Sequence, residues 1–157
     1  MSLAQLTQQP VQTVQASNTV AEAARLMCKH SVGALVITDA TEVTALGIIT
    51  DRDLVWMIAE GLDPRTATID QFVRSPLRSV CVTESLSDVT KAMREHGVRR
   101  LPIVDPEGRL LGIVSLDDIL LLLGRELGDV AAAITGELKQ ERRLGVAKAA
   151  TADRPHY

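Results

Sequence analysis

The sequence is poor in aromatic residues, in cysteine and in long apolar stretches. Aromatic side chains make up 2% of its 157 residues. Its two cysteines, Cys28 and Cys81, form no CxxC pair, so we expect reduced core thiols rather than a disulfide or a metal site. The longest nearly uninterrupted apolar run, Ile119 to Leu123, is far too short to span a bilayer. The N-terminus lacks the basic and apolar regions of a signal peptide, so we predict a cytoplasmic protein with no membrane partner.

The sequence also lacks a basic excess and a recognisable catalytic constellation. Its net charge is −3, and no stripe of Lys and Arg indicates nucleic-acid binding. It has no GxGxxG or P-loop motif, no metal-ligand cluster and no Ser-His-Asp or Cys-His arrangement, so we predict that it is not an enzyme. We interpret His30 and His96 as cations at helix C-termini.

What the chain does contain is an internal repeat. Gly47 to Asp53 reads Gly-Ile-Ile-Thr-Asp-Arg-Asp, and Gly112 to Asp118 reads Gly-Ile-Val-Ser-Leu-Asp-Asp. Ahead of these motifs the halves match at an offset of 66 residues, so that His30 falls on His96. Such a repeat predicts two copies of one fold related by a pseudo-twofold axis. Because each copy is marginal alone, the halves should bury their apolar faces on each other.

Each copy is predicted to be a strand, a helix, two strands and a second helix. Apolar residues recur at helical spacing from Thr19 to His30. Thr19 with Glu22 has the spacing of a capping box, and so has Ser85 with Asp88. Short apolar runs rich in branched residues predict strands at residues 34–37, 45–50, 101–104 and 110–115.

The domain boundaries follow from the extent of the repeat. The second helix of each copy should end at a glycine, Gly61 or Gly124. From Arg125 to about Leu144 a sparse apolar stripe predicts a further helix, which either packs on its own domain or pairs with a second subunit. The predicted domains are repeat 1 at residues 2–66, repeat 2 at residues 67–124, and a C-terminal helix with a frayed tail at residues 125–157.

The paired motifs resemble those of tandem cystathionine β-synthase (CBS) domains, also called a Bateman module. The second copy has the segment Val-Arg-Arg-Leu-Pro-Ile-Val-Asp before its motif, which strengthens the resemblance. The resemblance covers about residues 2–124 and points to the small stand-alone bacterial type. It implies an α+β fold of two β-α-β-β-α CBS repeats in a pseudo-twofold arrangement, followed by a C-terminal helix. It also implies a regulatory module that senses AMP, ADP or ATP, or else NAD or S-adenosylmethionine, with no obligatory cofactor.

The resemblance further implies a nucleotide in each cleft between the repeats. Each motif aspartate would hold ribose hydroxyls, because a carboxylate accepts two hydrogen bonds from a vicinal diol. The alternative role of Asp53 and Asp118 is to cap or charge the first turn of a helix. The first cleft would take Thr50, Arg52, Asp53, Pro76, Leu77, Arg99 and Arg100. The second cleft would take Pro10, Val11, Gly33, Ala34, Ser115, Asp117 and Asp118.

The two clefts differ in charge. Arg99 and Arg100 in the first can contact phosphate, although alternation along a strand predicts that only one of them reaches it. The second cleft has two uncharged residues in their place and adds Asp117. We therefore predict that a phosphorylated nucleotide prefers the Asp53 cleft, while the other cleft is empty or holds a weaker ligand. The alternative is a solvated arginine pair with no ligand.

Ligand binding would change the angle between the repeats, or between two modules of a homodimer, and so regulate a partner protein that the sequence does not name. Trp56 is predicted to be an anchor in the core or between modules. The alternative function is a nucleotide-independent module for dimerisation and protein–protein interaction, in which the motif aspartates only cap helices.

Overall fold

The computed structural model of the chain describes residues 3–4, 11–73 and 77–152, with side chains up to residue 137. The chain forms two compact units, Met1–Leu116 and Asp117–Tyr157. The first unit contains two three-stranded β-sheets, and the described part of the second unit is helical. The α+β class is therefore confirmed.

The first repeat forms a sheet of three strands with two helices. Its elements in chain order are β1 (Thr13–Gln15), α1 (Val20–His30), β2 (Ala34–Thr38), β3 (Ala45–Thr50) and α2 (Asp51–Ala59), followed by a 3-10 helix at Ile69–Phe72. β1 is parallel to β2, and β2 is antiparallel to β3, so β2 is the central strand. The parallel connection from β1 to β2 contains α1, because parallel strands need a crossover.

The second repeat has the same topology. Its elements are β4 (Val80–Cys81), α3 (Leu86–His96), β5 (Arg100–Val104) and β6 (Leu110–Ser115), and α4 (Leu116–Ala152) follows. β4 is parallel to β5, and β5 is antiparallel to β6. The strand register breaks between Ile37 and Thr38 in the first sheet and between Ile103 and Val104 in the second. These positions are equivalent in the two repeats, so the repeat extends even to an irregularity of its sheets.

The side chains of β2 and β3 divide between two faces of the first sheet. Leu35, Ile37 and Ile49 lie on one face and belong to the hydrophobic core. The other buried members of this core come from β1, both helices and the 3-10 helix: Val14, Val20, Ala23, Met27, Leu54, Met57 and Ile69. Val36 is fully buried on the opposite face, because successive residues of a strand alternate. We place the second repeat against this opposite face, because β3 contacts β5.

The two β-hairpins also meet at their turns. Thr44 and Arg109 form an isolated antiparallel bridge. The backbone N–H of Leu110 donates to the carbonyl oxygen of Val43 at 2.9 Å. The repeats are therefore joined by backbone hydrogen bonding as well as by packing.

Capping boxes begin α1 and α3, as the sequence predicted. The backbone N–H of Thr19 donates to Oε2 of Glu22 at 2.7 Å, and Oγ1 of Thr19 accepts from the backbone N–H of Glu22 at 3.3 Å. Ser85 and Asp88 form the same reciprocal pair at α3. The Thr19 backbone N–H is the main group that lowers the pKa of Glu22, and the Ser85 hydroxyl is the main group that lowers the pKa of Asp88.

The prediction that Gly124 ends a helix is wrong. α4 runs through Gly124 and continues to Ala152, beyond the predicted end near Leu144. Gly124 does not have the positive φ that a glycine cap needs. A glycine inside a helix costs about 1 kcal/mol relative to alanine, which a helix of 37 residues tolerates. The end of the predicted frayed tail, residues 153–157, lies outside the described residues.

Candidate functional site

The motif of the first repeat forms the junction between β3 and α2. Thr50 is the N-cap of α2, and its Oγ1 accepts from the backbone N–H of Asp53 at 3.3 Å. The backbone N–H and the hydroxyl of Thr50 both donate to Oδ2 of Asp53, at 2.8 and 2.6 Å. Within the described part of the chain, Oδ1 of Asp53 receives no hydrogen bond. The carboxylate is thus held by one oxygen and presents the other.

The sequence predicted a role for Asp53 at the helix start as the alternative to a ribose contact, but the reciprocal capping box with Thr50 was missed. A hydroxyl residue three positions before an acid is the pattern that identified the boxes at Thr19 and Ser85, and Thr50 with Asp53 has the same spacing. Cyclic hydrogen bonding of this kind fixes both side chains without any ligand. The motif therefore has a structural role in addition to the predicted ribose contact.

Cross-strand register places four predicted site residues on corresponding faces of the two sheets. Ala34 of β2 stands opposite Thr50 of β3, and Arg100 of β5 stands opposite Ser115 of β6. In the first sheet this face is the one turned away from the hydrophobic core. Arg99 precedes the strand, and its side chain is exposed, whereas Arg100 is half-buried. The adjacent arginines thus differ in environment, as alternation along the chain predicted.

The guanidinium of Arg100 reaches the first repeat. A β-carbon built on Gly33 would lie 3.9 Å from Nη2 of Arg100 and 3.4 Å from Oδ2 of Asp51. Asp51 is the first residue of α2, and its backbone N–H donates to the carbonyl oxygen of Gly33 at 3.2 Å. A cation from one repeat and the first carboxylate of α2 from the other therefore both lie near Gly33.

This arrangement changes one part of the predicted asymmetry. The sequence assigned Gly33 to the second cleft and Arg100 to the first, and it expected no cation near Gly33. The two residues are neighbours, so a cation is present there. The negative charge of Asp51, which is exposed, partly offsets the positive charge of the half-buried Arg100, because both groups lie close to Gly33.

For the other members of the first predicted set, Arg52, Leu77 and Pro76, no contact with the other repeat is described. Arg52 is exposed, and its backbone N–H donates to Oδ1 of Asp51 at 2.8 Å. Leu77 is half-buried, and Pro76 lies outside the described residues. Ligand contacts of these residues stay predictions.

The second predicted set is divided between the two units. Val11 is half-buried, and Pro10 lies outside the described residues. Ser115 ends β6 in the first unit, whereas Asp117 and Asp118 are in the first turn of α4, where acidic residues complement the positive end of the helix dipole. The assembly of this set into a cleft stays a prediction.

One cysteine and the two described histidines are exposed. Cys28 is exposed and Cys81 is half-buried, so the prediction that both are core thiols is wrong. Both are free of disulfide bonds. His30 and His96 are exposed in the last turns of α1 and α3, where a cation complements the negative end of the helix dipole. Across residues 3–4, 11–73 and 77–137, no group of three or more His, Cys, Asp or Glu side chains could hold a metal ion.

Trp56 is not part of the core of its own chain. Its side chain is 55% exposed on α2, beside the exposed Val55 and Ile58. The predicted position of Trp56 in the core is therefore wrong, and its position between modules stays a prediction. Among the described helices, none combines the length and the apolar character that crossing a membrane requires.

Two copies of one α+β unit, each with the same strand-to-helix motif, define a tandem domain pair. The CBS domain family model matches residues 3–60 and 69–125. The chain therefore belongs to the CBS domain family and carries the domain twice.

Two relatives illustrate the similarity in sequence. The chain is 34% identical over 121 residues to an uncharacterized protein of Methanopyrus kandleri. The matched region is 76% of this chain and 61% of the relative. It is 40% identical over 102 residues to hypoxic response protein 1 of Mycobacterium tuberculosis. This matched region is 64% of this chain and 70% of the relative. The chain thus spans less than two thirds of the length of the Methanopyrus protein.

Two solved structures illustrate the similarity in fold. A CBS domain protein of Pyrobaculum aerophilum complexed with AMP superimposes with a TM-score of 0.69 at 25% identity, covering 80% of this chain and 99% of that one. A CBS domain pair in complex with 5′-methylthioadenosine and S-adenosyl-L-methionine superimposes with a TM-score of 0.70 at 25% identity, covering 80% and 98%. Both similar proteins hold ligands that contain adenosine.

Proposed function

We propose that this chain is a regulatory module that binds an adenosyl ligand, with AMP, ADP or ATP as the first candidates and NAD or S-adenosylmethionine as the others. The observation that carries the proposal is that the Arg100 guanidinium lies close to Gly33. Gly33 in turn contacts the start of α2, because its carbonyl oxygen accepts the backbone N–H of Asp51. The cation of the second repeat lies near Asp51, which shares the first turn of α2 with Asp53, and this supports a site that uses Arg100 and the Asp53 carboxylate together.

The chemistry of these groups suits a nucleotide. The Asp53 carboxylate can accept hydrogen bonds from ribose hydroxyls, and bonds to a charged acceptor are stronger than neutral ones. The planar guanidinium of Arg100 can donate two hydrogen bonds to one phosphate group. The adenosine-containing ligands of the two similar structures support the same ligand class for this chain.

Binding would act on geometry because its contacts come from different repeats. Thr50 and Asp53 belong to the first repeat, and Arg100 belongs to the second. A ligand that contacts both repeats binds more tightly when these residues are at the right distance from one another than when the repeats have moved apart or together. It therefore shifts the balance between those arrangements, which is the requirement for allosteric regulation of a partner protein.

A homodimer is part of the proposal. α2 presents three large apolar side chains to solvent, Val55, Trp56 and Ile58, which are 67%, 55% and 56% exposed. Contiguous exposed apolar groups that include a tryptophan are typical of a protein interface. A second module covering this surface would carry a ligand-dependent change from one copy to the other.

The alternative function is a nucleotide-independent interaction module. The observation that favours it is the Thr50–Asp53 capping box, because it accounts for both motif residues without a ligand. In that case the protein would work through its exposed apolar helices alone, and adenosyl ligands would change neither its stability nor its assembly.

A ligand panel distinguishes the two functions. Protein stripped of bound nucleotide by unfolding and refolding would be titrated calorimetrically with AMP, ADP, ATP, NAD and S-adenosylmethionine. Saturable binding of at least one ligand, with a matching rise in the unfolding temperature, is expected for a sensor. If none of the five binds to refolded protein, the interaction module is the correct function.

A further inference from the structure

Asp51, the first residue of α2, lies beside the cation to which the proposed function assigns phosphate. Oδ2 of Asp51 and Nη2 of Arg100 lie 3.4 and 3.9 Å from one point, the β-carbon that a side chain at Gly33 would have. The two charged atoms are therefore no more than about 7 Å apart. At such a separation, each charge changes the affinity of the other for a third ion.

In the described part of the chain, neither charged group is held by another ion pair. Oδ1 of Asp51 accepts the backbone N–H of Arg52 at 2.8 Å, and Oδ2 is the oxygen near Gly33. The guanidinium of Arg100 is half-buried, and across residues 11–73 and 77–137 it makes no hydrogen bond. Its donors are available to a ligand, and the Asp51 carboxylate is a competing anion close to them.

The equivalent of Asp51 in the second repeat is an apolar residue. The backbone N–H of Asp51 donates to the carbonyl oxygen of Gly33 at 3.2 Å, and the backbone N–H of Leu116 donates to that of Arg99 at 2.9 Å. Both hydrogen bonds join the first residue of a helix to the residue before a strand, so the two are equivalent. Leu116 therefore stands where the first repeat has Asp51.

The equivalent of Arg100 in the first repeat is also uncharged. Arg100 begins β5, and Ala34 begins β2. The pseudo-equivalent of the Arg100–Asp51 pair is thus Ala34 with Leu116, and both charges are absent there. The same repeat folds with and without the two charges, so the fold does not require them. Their joint presence on one side indicates that they act together on a ligand.

We propose that Asp51 limits the negative charge of the ligand, so that the site at Arg100 takes an adenosyl ligand with a single phosphate in preference to a triphosphate. The inference rests on the proposed function, in which Arg100 binds phosphate. One phosphate group can be bound by the guanidinium in place of the weak attraction to Asp51. Each further phosphate adds negative charge near the carboxylate, and like charges repel.

Neighbouring charges moderate this effect without removing it. Arg52 and Arg99 are exposed, and so is Asp51, so water and salt screen all three more than they screen the half-buried Arg100. Asp53 adds a second negative charge in the first turn of α2. We therefore expect a preference of several-fold for AMP over ATP and not an absolute exclusion of ATP.

The test compares two variants that remove the same charge from opposite ends of α2. Asp51→Asn removes the carboxylate charge and keeps an oxygen that can accept the backbone N–H of Arg52. Glu60→Gln is the matched control, because Glu60 is exposed just beyond the last turn of α2, about 13 Å along the helix axis from Asp51. Adenosine, AMP and ATP would be titrated calorimetrically into ligand-free wild type and both variants. The buffer contains no divalent cation, so that ATP keeps its full charge.

The wild type should bind AMP more tightly than ATP. Asp51→Asn should reduce this preference by about threefold or more, whereas Glu60→Gln should change it by less than about twofold. Adenosine has no phosphate and should bind all three proteins alike.

Three results would overturn the inference and leave the proposed function intact, provided that the wild type binds AMP. They are a wild type that prefers ATP, a smaller effect of Asp51→Asn or an equal one of Glu60→Gln, and a loss of adenosine affinity in Asp51→Asn. A wild type that binds neither AMP nor ATP also overturns the inference, and the five-ligand panel then decides the proposed function separately.

Discussion

The hydroxyl of Thr50 donates to Oδ2 of Asp53 at 2.6 Å, and the backbone N–H of Thr50 donates to the same oxygen at 2.8 Å. The aspartate of the repeated motif is therefore a helix-capping residue before any ligand arrives. Its second oxygen, Oδ1, is the one that a ribose would engage. The two roles use different atoms, so they can be separated by substitution.

Asp53→Asn and Asp53→Ala should differ in stability and agree in ligand binding. Asparagine keeps an oxygen that accepts the Thr50 backbone N–H, whereas alanine removes it and should cost about 1 kcal/mol of unfolding free energy. Both remove the charge that a ribose diol favours, so AMP affinity should fall about tenfold or more. Chemical denaturation and calorimetric titration measure the two quantities.

Asp88→Ala is the matched control, since Asp88 occupies the same capping position in α3 without a site motif. It should lower stability and leave AMP affinity unchanged. If Asp53→Asn also leaves AMP affinity unchanged, then Asp53 is only a capping residue.

Arg99, which precedes β5, and Arg100, which begins it, should contribute unequally to AMP binding. Arg100 is half-buried and near Gly33, whereas Arg99 is exposed. Replacement of a guanidinium that binds phosphate should weaken AMP binding about tenfold or more, because hydrogen bonds to charged groups are strong. We expect this loss for Arg100→Gln and a change of less than about twofold for Arg99→Gln. Adenosine, which has no phosphate, should bind Arg100→Gln and the wild type alike; equal AMP losses in the two variants would contradict this assignment.

Two glycine-to-alanine substitutions should have opposite effects on stability. A β-carbon on the motif residue Gly47 would lie 3.1 Å from the carbonyl oxygen of Phe72 and 3.3 Å from Cδ1 of Ile37, so Gly47→Ala should destabilise by about 1–3 kcal/mol. A β-carbon on Gly128 would meet nothing within 4 Å, and Gly128→Ala should stabilise α4 by up to about 1 kcal/mol. Denaturant unfolding curves measure both changes. A stabilising Gly47→Ala would show that the neighbouring backbone is not held where the structure places it.

The capping box of α1 should make stability depend on pH. The Thr19 backbone N–H holds the pKa of Glu22 below its ordinary value of 4.5. A carboxyl group with a lower pKa in the folded state stabilises the fold above its unfolded pKa, and this contribution is lost as the pH falls through the folded pKa. Glutamine also completes a capping box but does not titrate.

Unfolding free energies of the wild type and Glu22→Gln, measured by urea denaturation between pH 6 and pH 3, check this dependence. The wild type should lose more stability over that range than the variant. Parallel curves for the two proteins would mean that Glu22 has the same pKa in both states.

Local pattern predicted much of the fold. The strands Ala45–Thr50 and Leu110–Ser115 begin and end where the sequence placed them, because turn residues and apolar alternation bound them on both sides. The capping spacing predicted the starts of α1 and α3. The helix end predicted at Gly124 was wrong because glycine is common just beyond helix ends. Whether the helix continues past Gly124 depends on residues further along the chain.

The candidate site was predicted less completely. The sequence singled out the motif residues because they stand at a strand-to-helix junction that repeats, and their ligand contacts stay predictions. The approach of Arg100 to Gly33 was not found, because it depends on how the two sheets lie against each other and not on either sequence segment alone. The exposure of Cys28 was also not predicted, because cysteine is usually buried. Cys28 lies on α1 outside the buried face formed by Val20, Ala23 and Met27.

The most direct measurement is a calorimetric titration of AMP into ligand-free wild type, Asp53→Ala and Asp118→Ala. An adenosyl sensor with a dominant site at Asp53 predicts saturable binding to the wild type, loss of that binding in Asp53→Ala and its retention in Asp118→Ala. Binding that is equally strong in the wild type and in Asp53→Ala would contradict a site at Asp53.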